Sequence, residues 1–484
     1  MYGLGINRLG TLNTSGSGSG VPNITDLFSN GENGFWYDAS DTSVLFTDTA
    51  GTTAVTAVGQ EVKRINDKSG NGNHLVFETD QYPRYSKHPT TGSRNRLADS
   101  NTLTQAQTQT DAEGFRGWQN FANLNSGTTD STTSPQTGAD SFKIFKTASQ
   151  EGIYISWKAG GVLSTDNNET HTLSVYFKPT GNGTRPVTDL MFLMGQLQVL
   201  FDVSAGTYTL AGTTSNHSSS SVTDAGSGWY LLKTTVSNMG NNNVAFFGVD
   251  SAGNFGTFNG EDADFLLSAP QLEVGSSRTT FQTTTSLYNV TEPNASFVYS
   301  LTFEGNDYGM FDTSETEYIY GNFVDNISVI AGVSVDYGST ERTIIDMSEN
   351  PPVGSNAQSR LYVDNNEFKH LGGGGTYTTV VTSDVGGALS FPIKASVFTG
   401  VDINADTNTI SLGSQGHSDS TTSDLGTATF HVAMPDIEIG ASTIQSTPSN
   451  QFKGKLHQLV LVERILTATE QTTMSAIVDN KVGV

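Results

Sequence analysis

The turn at residues 67–74, with the sequence DKSGNGNH, constrains the fold more than any other stretch of this chain. Its glycines and asparagines tolerate positive φ angles, and Asp67 and Ser69 can hydrogen-bond to the backbone two residues further on. Such a turn cannot be the interior of a helix or a strand. Val62 and Ile65 before the turn, and the short apolar run at residues 75–77 after it, predict a strand on each side.

The composition favours β structure and several domains. The chain has 484 residues, of which 52 are glycine and only 15% are charged, so turns are frequent and helix formers are scarce. Single hydrophobic cores stop growing near about 250 to 300 residues, so two or three domains are expected. Cysteine is absent, which excludes disulfides, thiolate metal sites and a cysteine nucleophile.

The net charge argues against two classes of partner. With 48 acidic and 24 basic residues, the formal charge is −24, and such a surface repels nucleic acid and anionic lipid head groups. The first residues lack a charged segment followed by an apolar core, and nowhere do 18 apolar residues stand together. We therefore expect neither export through a signal peptide nor membrane insertion.

Alternating apolar and polar residues predict strands along most of the chain. One helix is predicted at the end, because Thr467 and Glu470 form a capping box and Met474, Ile477 and Val478 follow at helical spacing. The clearest predicted strands are at residues 43–46, 54–58, 171–178, 200–203, 229–236, 244–249, 297–303, 327–333, 342–347, 360–363, 394–401 and 409–412.

Three short segments carry a resemblance to a known fold. Residues 36–41 (WYDASD), the turn at 67–74 and residues 83–85 (PRY) resemble the opening of laminin-G or concanavalin-like sandwich domains. The segment that follows closely in that family stands here at residues 303–308 (FEGNDY), about two hundred residues late. The resemblance thus implies that a second domain is inserted into a surface loop, where insertions are tolerated.

The inserted segment has a resemblance of its own. Its strand order and its closing element at residues 271–275 (QLEVG) resemble the jelly-roll, carbohydrate-binding-module-like inserts of tailed-bacteriophage proteins. We predict an all-β protein of two β-sandwich (jelly-roll) domains, one inserted into the other, with a short C-terminal helix. The predicted parts are an N-terminal docking arm with a Gly/Ser linker (1–30), a discontinuous outer sandwich (31–93 plus 286–484) and the insert (94–285).

These resemblances imply a function on a virus particle. The prediction is a non-enzymatic virion structural protein of a tailed bacteriophage, surface-exposed, made in the host cytoplasm, and acting as a tail fibre or receptor-binding protein that contacts host glycans. The arm would bind other virion proteins, and a homo-oligomer, such as a trimer, is expected. One alternative is a capsid decoration or head-fibre protein, and another, from a different class, is a glycan-degrading enzyme.

The turn at 67–74 is also a candidate metal site. Asp67, Ser69 and Asn71 with Glu78 occupy the ligand positions of a calcium loop, and a glycine follows Asn71 as in that motif. Helices should flank such a loop, whereas residues 75–77 have the pattern of a strand. We therefore expect a turn held by Asp and Asn side chains with no cofactor, and keep Ca²⁺ binding as the alternative.

Sugar binding requires exposed aromatic faces on which pyranose rings stack. Trp118 and Trp157 are the first candidates and Tyr208 is the third, whereas Trp36 and Trp229 lie in strand patterns typical of core residues.

No catalytic residues are predicted. The sequence contains neither a Gly-x-Ser-x-Gly elbow nor a His-x-x-x-His or His-Glu-x-x-His pair. The acidic cluster of Glu261, Asp262 and Asp264 is the pattern of a solvated loop, since the chain is rich in acids.

Overall fold

The computed structural model describes residues 23–77, 82–92, 94–97, 100, 110–111, 114–119, 126–146, 154–159, 170–183, 185–237, 244–253, 262–286, 288–305, 309–311, 326–335, 341–347, 358–364, 367–374, 377–383, 393–402, 407–414, 417–424, 437–441 and 450–483. These ranges contain 32 strands and one α-helix, which confirms the predicted all-β class with a C-terminal helix.

The strands follow one another in three groups. Strands β1 to β5 are Gly34–Asp38, Leu45–Phe46, Arg64–Ile65, Leu75–Val76 and Arg84–Pro89. Strands β6 to β18 are Thr110–Asp111, Gly114–Gln119, Ser126–Asp130, Ser141–Lys146, Tyr154–Ala159, His171–Gly183, Asp189–Met194, Leu197–Asp202, Thr207–Gly212, His217–Gly226, Trp229–Val236, Val244–Val249 and Ala263–Val274. Strands β19 to β32 are Thr283–Ser286, Asn289–Thr291, Phe297–Glu304, Gly309–Phe311, Asn326–Val335, Arg342–Asp346, Gln358–Asp364, Glu367–Gly374, Tyr377–Ser383, Ile393–Asp402, Thr407–Ser414, His417–Asp424, Glu438–Ile439 and Lys453–Val462, and helix α1 is Ala468–Val482.

Four sheets result, and they sort the strands by position in the sequence. The first and last groups together form two sheets. One has the order β19-β20-β5-β21-β32-β23-β28-β29-β30, and β1 also pairs with β32 in this sheet. The other has the order β2-β3-β4-β22-β31-β24-β25-β26-β27. The middle group forms sheets β14-β13-β12-β17-β10-β7-β6 and β15-β16-β11-β18-β9-β8. Among the described strands, none of the middle group pairs with a strand of the other two. We call the two pairs of sheets the outer and the inserted sandwich; the predicted domain boundaries stay a prediction.

The central strand of the outer sandwich, β32, is buried on both faces. Leu459 and Leu461 point into the core between the two outer sheets, while Val460 and Val462 point to a second apolar layer under α1. The sequence KGKLHQLVLV of this strand is therefore almost continuously apolar toward its end rather than strictly alternating. Because β21, β1 and β23 all pair with it, β32 joins the early and late parts of the sheet.

Helix α1 starts at the predicted capping box and packs on the outer face of this sheet. The Thr467 hydroxyl accepts a hydrogen bond from the Glu470 amide, and the Glu470 carboxylate accepts one from the Thr467 amide over 2.8 Å. The helix approaches the sheet at Gly332, where a Cβ atom would lie 2.7 Å from Val478 Cγ1 and 2.9 Å from Val482 Cγ2. Only glycine allows this contact without a shift of the helix.

The segment after the Gly/Ser linker belongs to the outer sandwich. Residues Ile24–Phe28 form a short 3-10 helix, capped by Asn23 and Asp26, whose Ile24, Leu27 and Phe28 are buried in the layer under α1. The predicted docking arm of residues 1–30 is therefore too long, because its last apolar residues complete this layer. Residues 1–22 lie outside the described part of the chain.

Two early strands were also predicted wrongly. The segment 43–46 begins as a 3-10 turn, Thr42–Val44, because Asp41 accepts a hydrogen bond from the Ser43 amide, and only β2 is extended. In the segment 54–58, a single bridge joins Ala54 to Phe46. The Gln60 side chain accepts hydrogen bonds from the amides of residues 56 and 57, so these amides do not pair with a neighbouring strand.

Buried amide side chains join the two connections between the sandwiches. Gln282 accepts hydrogen bonds from the amides of Arg94 and Asn95 over 2.7 and 3.1 Å, and donates to the Gly92 carbonyl and to Glu292. Arg94 forms an ion pair with Glu292 over 2.7 Å, and the Glu292 side chain is only 7% exposed. We call this group of residues the junction.

The QLEVG element has a structural role at the junction. Gln271 and Glu273 are buried, and Gln271 accepts a hydrogen bond from the Gln282 amide over 2.9 Å. Glu273 accepts hydrogen bonds from the amide and hydroxyl of Thr279. The element therefore fixes the chain where it leaves the inserted sandwich.

Candidate functional site

The Asp67 carboxylate organises the turn that the sequence singled out. Its Oδ1 atom accepts hydrogen bonds from the amides of Trp36 and Ser69, both over 2.8 Å. Its Oδ2 atom accepts from the Ser69 hydroxyl over 2.6 Å and from the Asn73 amide over 3.1 Å. Four protein donors thus surround the two oxygens that the calcium hypothesis assigns to a metal.

The asparagines of the turn bind the start of β1 rather than one another. The side-chain amides of Asn71 and Asn73 both donate to the Gly34 carbonyl, over 3.0 and 2.7 Å, and the Tyr37 hydroxyl donates to the Asn73 carbonyl. Gly34 has a φ of 138° and lies against the backbone of Leu461, so no side chain fits there. The turn therefore fixes the first strand onto the outer sheet.

The predicted calcium ligands are only partly described. Asp67, Ser69 and Asn71 lie together in the turn, whereas Glu78 lies outside the described residues. Calcium would have to displace donors that already saturate Asp67. Within the described ranges, no group of three or more histidine, aspartate or glutamate side chains could hold a metal ion. Calcium binding stays the untested alternative to a turn without a cofactor.

Trp118 and Trp157, the first two candidates for sugar binding, are neighbours in one sheet. They are direct register partners across β7 and β10, and Trp157 also pairs with Val244 of β17. The side chains of both tryptophans lie outside the described part, so their sugar role remains untested.

Tyr208, the third candidate, is described and lies apart from the two tryptophans. Its strand β14 ends the same sheet, four strands from β10, a separation of about 19 Å. Tyr208 is 38% exposed and Leu210, two residues on, is 36% exposed. Their register partners, Phe201 and Val199, are buried in the core of the inserted sandwich. Tyr208 and Leu210 therefore form an exposed apolar margin of this core at β14.

Strand β15 faces β14 across this edge of the inserted sandwich. It ends the other sheet among the described strands, and the two strands contact each other. The Tyr208 ring lies 5.7 Å from the His217 ring, centroid to centroid, and 6.5 Å from the Phe201 ring. We call the surface of Tyr208, Leu210, His217 and Ser220 the open edge.

A chain of hydroxyl groups holds the histidine of the open edge. His217 Nε2 and Ser220 Oγ are 2.9 Å apart, and Ser220 Oγ is 2.8 Å from Thr234 Oγ1 on β16. Thr234 is buried, so this chain anchors the imidazole to the sheet beneath it. The open edge thus combines two exposed apolar side chains with polar groups in fixed positions, the combination that binds sugars in proteins.

The sequence signal for this site was incomplete. Tyr208 and Leu210 alternate along a short strand, and this pattern alone would have marked one side of β14 as apolar. His217 stands in a different sheet, and nothing in the sequence pairs it with Tyr208. Prediction from the sequence therefore found the aromatic residue and missed its polar neighbours.

The acidic cluster considered for catalysis is divided by the structure. The Asp264 side chain is 9% exposed, forms an ion pair with Lys143 over 2.6 Å and accepts a hydrogen bond from Thr180. These contacts explain Asp264 as a structural residue. Asp262 is exposed, and Glu261 lies outside the described residues.

The described part of the chain contains no helix that is both long enough and apolar enough to cross a lipid bilayer.

Comparisons with known proteins give similarity in fold alone. No family model and no curated protein matches the chain. The CBM40 module of the Ruminococcus gnavus IT-sialidase matches with a TM-score of 0.29 and 12% identity, over 36% of this chain and 96% of that one. The mouse laminin α1 domains LG4-5 match with a TM-score of 0.26 and 12% identity, over 70% of this chain and 96% of that one. The NanB sialidase of Streptococcus pneumoniae matches with a TM-score of 0.26 and 11% identity, over 31% of this chain and 24% of that one.

With TM-scores this low, these neighbours carry no argument about function. The four sheets themselves define the class, a protein of two β-sandwiches in which one is inserted between two strands of the other.

Proposed function

We propose that this chain is a non-enzymatic, surface-exposed virion protein of a tailed bacteriophage, a tail fibre or receptor-binding protein that binds host glycans through the open edge. The observation that carries the glycan part is the exposure of Tyr208 and Leu210 beside His217 and its hydroxyl partners. Pyranose rings offer an apolar face for stacking and hydroxyls for hydrogen bonds, and the open edge offers both complements.

The virion part of the proposal rests on the sequence. The segment at 271–275 carries the resemblance to the inserts of tailed-phage proteins, those at 36–41 and 67–74 carry the resemblance to laminin-G-like sandwiches, and the Gly/Ser linker suits a tethered docking arm. The net charge of −24 keeps such a surface soluble and free of nucleic acid. The implied partners are other virion proteins at the arm and host glycans at the open edge, with the protein on the virion surface.

A cell-binding assay tests this proposal. The full-length protein is labelled and titrated onto intact candidate host cells, alongside the variants Tyr208→Ala and Phe297→Ala. Phe297 is a matched control, because it is 39% exposed, as Tyr208 is at 38%, but lies on β21 of the outer sandwich. We expect saturable binding that Tyr208→Ala weakens about tenfold and Phe297→Ala leaves unchanged, since an aromatic contact contributes about 1 kcal/mol beyond its buried area.

Two results would overturn the proposal. Binding to no susceptible host would remove the receptor-binding role, and equal loss in both variants would remove the open edge as its site. A further variant lacking residues 1–22 tests the alternative role. If only the intact chain binds virus particles and no form binds cells, the protein is a capsid decoration or head-fibre protein.

A further inference from the structure

We propose that the open edge binds uncharged glycans and discriminates against acidic ones. This inference rests on the proposed function and names the class of sugar that the site accepts.

The sequence around the open edge contains no basic residue other than His217. From residue 186 to residue 232, which includes strands β12 to β15, there is neither lysine nor arginine. The same stretch contains Asp189, Asp202 and Asp224. Recognition of a sugar carboxylate normally uses arginine or lysine in a charge-assisted hydrogen bond, and this stretch provides neither.

Two carboxylates in this stretch, Asp202 at the end of β13 and Asp224 near the end of β15, are held by hydrogen bonds in their turns. Asp202 accepts hydrogen bonds from the Ala205 amide and the Ser204 hydroxyl, and these bonds lower its pKa below the ordinary value. Asp224 accepts a hydrogen bond from the Gly226 amide over 2.8 Å. Asp202 is therefore ionised at neutral pH and adds a negative potential close to β14.

The nearest basic side chains on neighbouring strands lie away from the open edge. Lys233 pairs with Ser221, while the adjacent pair of Leu232 and Val222 packs on the inserted core, so Lys233 belongs to the opposite face of its sheet. Lys178 lies over the Trp229 ring, 6.0 Å from its centroid, beside the turn that follows β15. It is thus at the far end of β15 from His217.

The polar groups of the open edge suit a sugar hydroxyl. Ser220 holds His217 through Nε2, and in the described part of the chain Nδ1 of the same ring makes no hydrogen bond. Imidazole nitrogen and serine hydroxyl groups can each donate or accept, as a neutral hydroxyl requires. An acidic sugar would bring a negative charge to an edge without lysine or arginine, in a protein of net charge −24, which disfavours binding.

Matched pairs of glycans test the inference. The full-length chain is titrated by calorimetry or saturation-transfer NMR with lactose against 3′-sialyllactose, and with methyl-esterified against de-esterified oligogalacturonides, at low and at high salt. We expect at least one uncharged member to bind, and its acidic counterpart to bind at least about tenfold more weakly. Because salt screens repulsion between exposed charges, the difference should shrink at high salt.

Variants place the binding at the open edge. Tyr208→Ala should weaken binding of the uncharged glycan about tenfold, Tyr208→Phe should retain most of it because the ring remains, and Phe297→Ala should have no effect. Thr209→Ala is a second control, since Thr209 lies on the other side of the same strand.

The outcomes separate this inference from the proposed function. An acidic glycan that binds as tightly as its uncharged partner, and is lost in Tyr208→Ala, would overturn the inference and leave the proposed function standing. Binding of no member of the panel, or binding that Tyr208→Ala leaves unchanged, would overturn both. Binding of an uncharged glycan that depends on Tyr208 and excludes its acidic partner would support both.

Discussion

Lys481 of helix α1 donates a hydrogen bond to the carboxylate of Asp38 at the end of β1, over 3.2 Å. Lys68, in the turn at 67–74, binds the same oxygen at the same distance. The Asp38 side chain is only 3% exposed, and its other oxygen accepts hydrogen bonds from Ser40. One buried carboxylate therefore connects the first strand, the turn and the last helix.

Replacing this carboxylate should cost substantial stability. Asp38→Asn leaves two ammonium groups near a buried amide, and we expect the free energy of unfolding to decrease by about 3 kcal/mol. Urea denaturation at pH 7 measures this. Glu367→Gln is the control, because Glu367 is 38% exposed and its ion pair with Lys369 should contribute less than about 1 kcal/mol. Equal effects of the two substitutions would contradict a special role for Asp38.

The same carboxylate predicts a loss of stability in acid. Burial raises the pKa of Asp38, but the hydrogen bond from Ser40 and the charges of Lys481 and Lys68 outweigh it, so the pKa lies below the ordinary value. The stabilisation is present above the pKa of the unfolded chain and is lost as the pH decreases through the folded value. As the pH decreases below about 4, the free energy of unfolding should therefore decrease less for Asp38→Asn than for the natural chain.

The junction predicts that the two sandwiches unfold together. Glu292→Gln removes the partner of Arg94 and one acceptor of Gln282, in a site where Glu292 is 7% exposed, so we expect a loss of about 3 kcal/mol. Calorimetry should show one unfolding transition in the natural chain and two in this variant. Glu61→Gln is the matched control, since the Arg84–Glu61 pair is 37% and 40% exposed. Two separate transitions in the natural chain would contradict coupling through the junction.

The Asp67 turn predicts stability without calcium. Asp67→Ala removes the acceptor for four hydrogen bonds, and we expect a loss of about 2 to 4 kcal/mol that is the same with calcium and with chelator. Asp48→Ala is the control, because Asp48 also caps a turn, through Thr52 and Thr53, outside the calcium pattern. A melting temperature that rises with calcium, and does so only when Asp67 is present, would show that the metal binds.

Buried histidines predict a second loss of stability at mildly acidic pH. His457 is fully buried between Ser334 and the Tyr299 carbonyl. Burial is the main cause that lowers its pKa to about 3; the hydrogen bond to Tyr299 opposes this shift, and the charges of Lys394 and Lys455 add to it. A histidine with a lowered pKa stabilises the fold above the unfolded pKa near 6.5 and loses this contribution as the pH decreases.

From pH 7 to pH 5, His457 alone should account for a loss of about 2 kcal/mol. The pKa of His88 is also lowered, mainly by burial, so His88 adds to this loss in the same direction. Urea denaturation at a series of pH values measures the slope. His457→Gln should remove about 2 kcal/mol of the loss between pH 7 and pH 5, and a variant with the unchanged slope would contradict the assignment.

Local signals gave the parts of the fold that depend on neighbouring residues. Thr467 and Glu470 predicted the start of α1, because both hydrogen bonds of a capping box lie within one turn. Clean alternation predicted β11 and β16, since one face of each strand is buried. The glycines at 372–374 have a composition typical of a loop tip but lie in β26, where pairing with β25 and β27 decides the structure.

Contacts between distant segments could not be predicted. The hydrogen bonds that Gln60 accepts from the amides of residues 56 and 57, in place of a strand at 54–58, depend on the direction of one side chain. Tyr208 was recognisable as an aromatic residue in a short strand, whereas its contact with His217 depends on how the edges of two sheets meet. The stacking residue of the proposed glycan site was therefore predicted from the sequence, whereas its polar groups were identified only from the structure.

The insertion also has a consequence for how the chain folds during synthesis. In the outer sheet, Asp38 of β1 pairs with Gln458 of β32, about 420 residues later. At about 5 to 20 residues per second, the nascent β1 waits roughly 20 to 80 s for this partner. The described strands of the inserted sandwich, by contrast, have all left the ribosome soon after Val274 is made. The inserted sandwich can therefore fold first, and the outer sandwich completes its sheets when the inserted one is already folded.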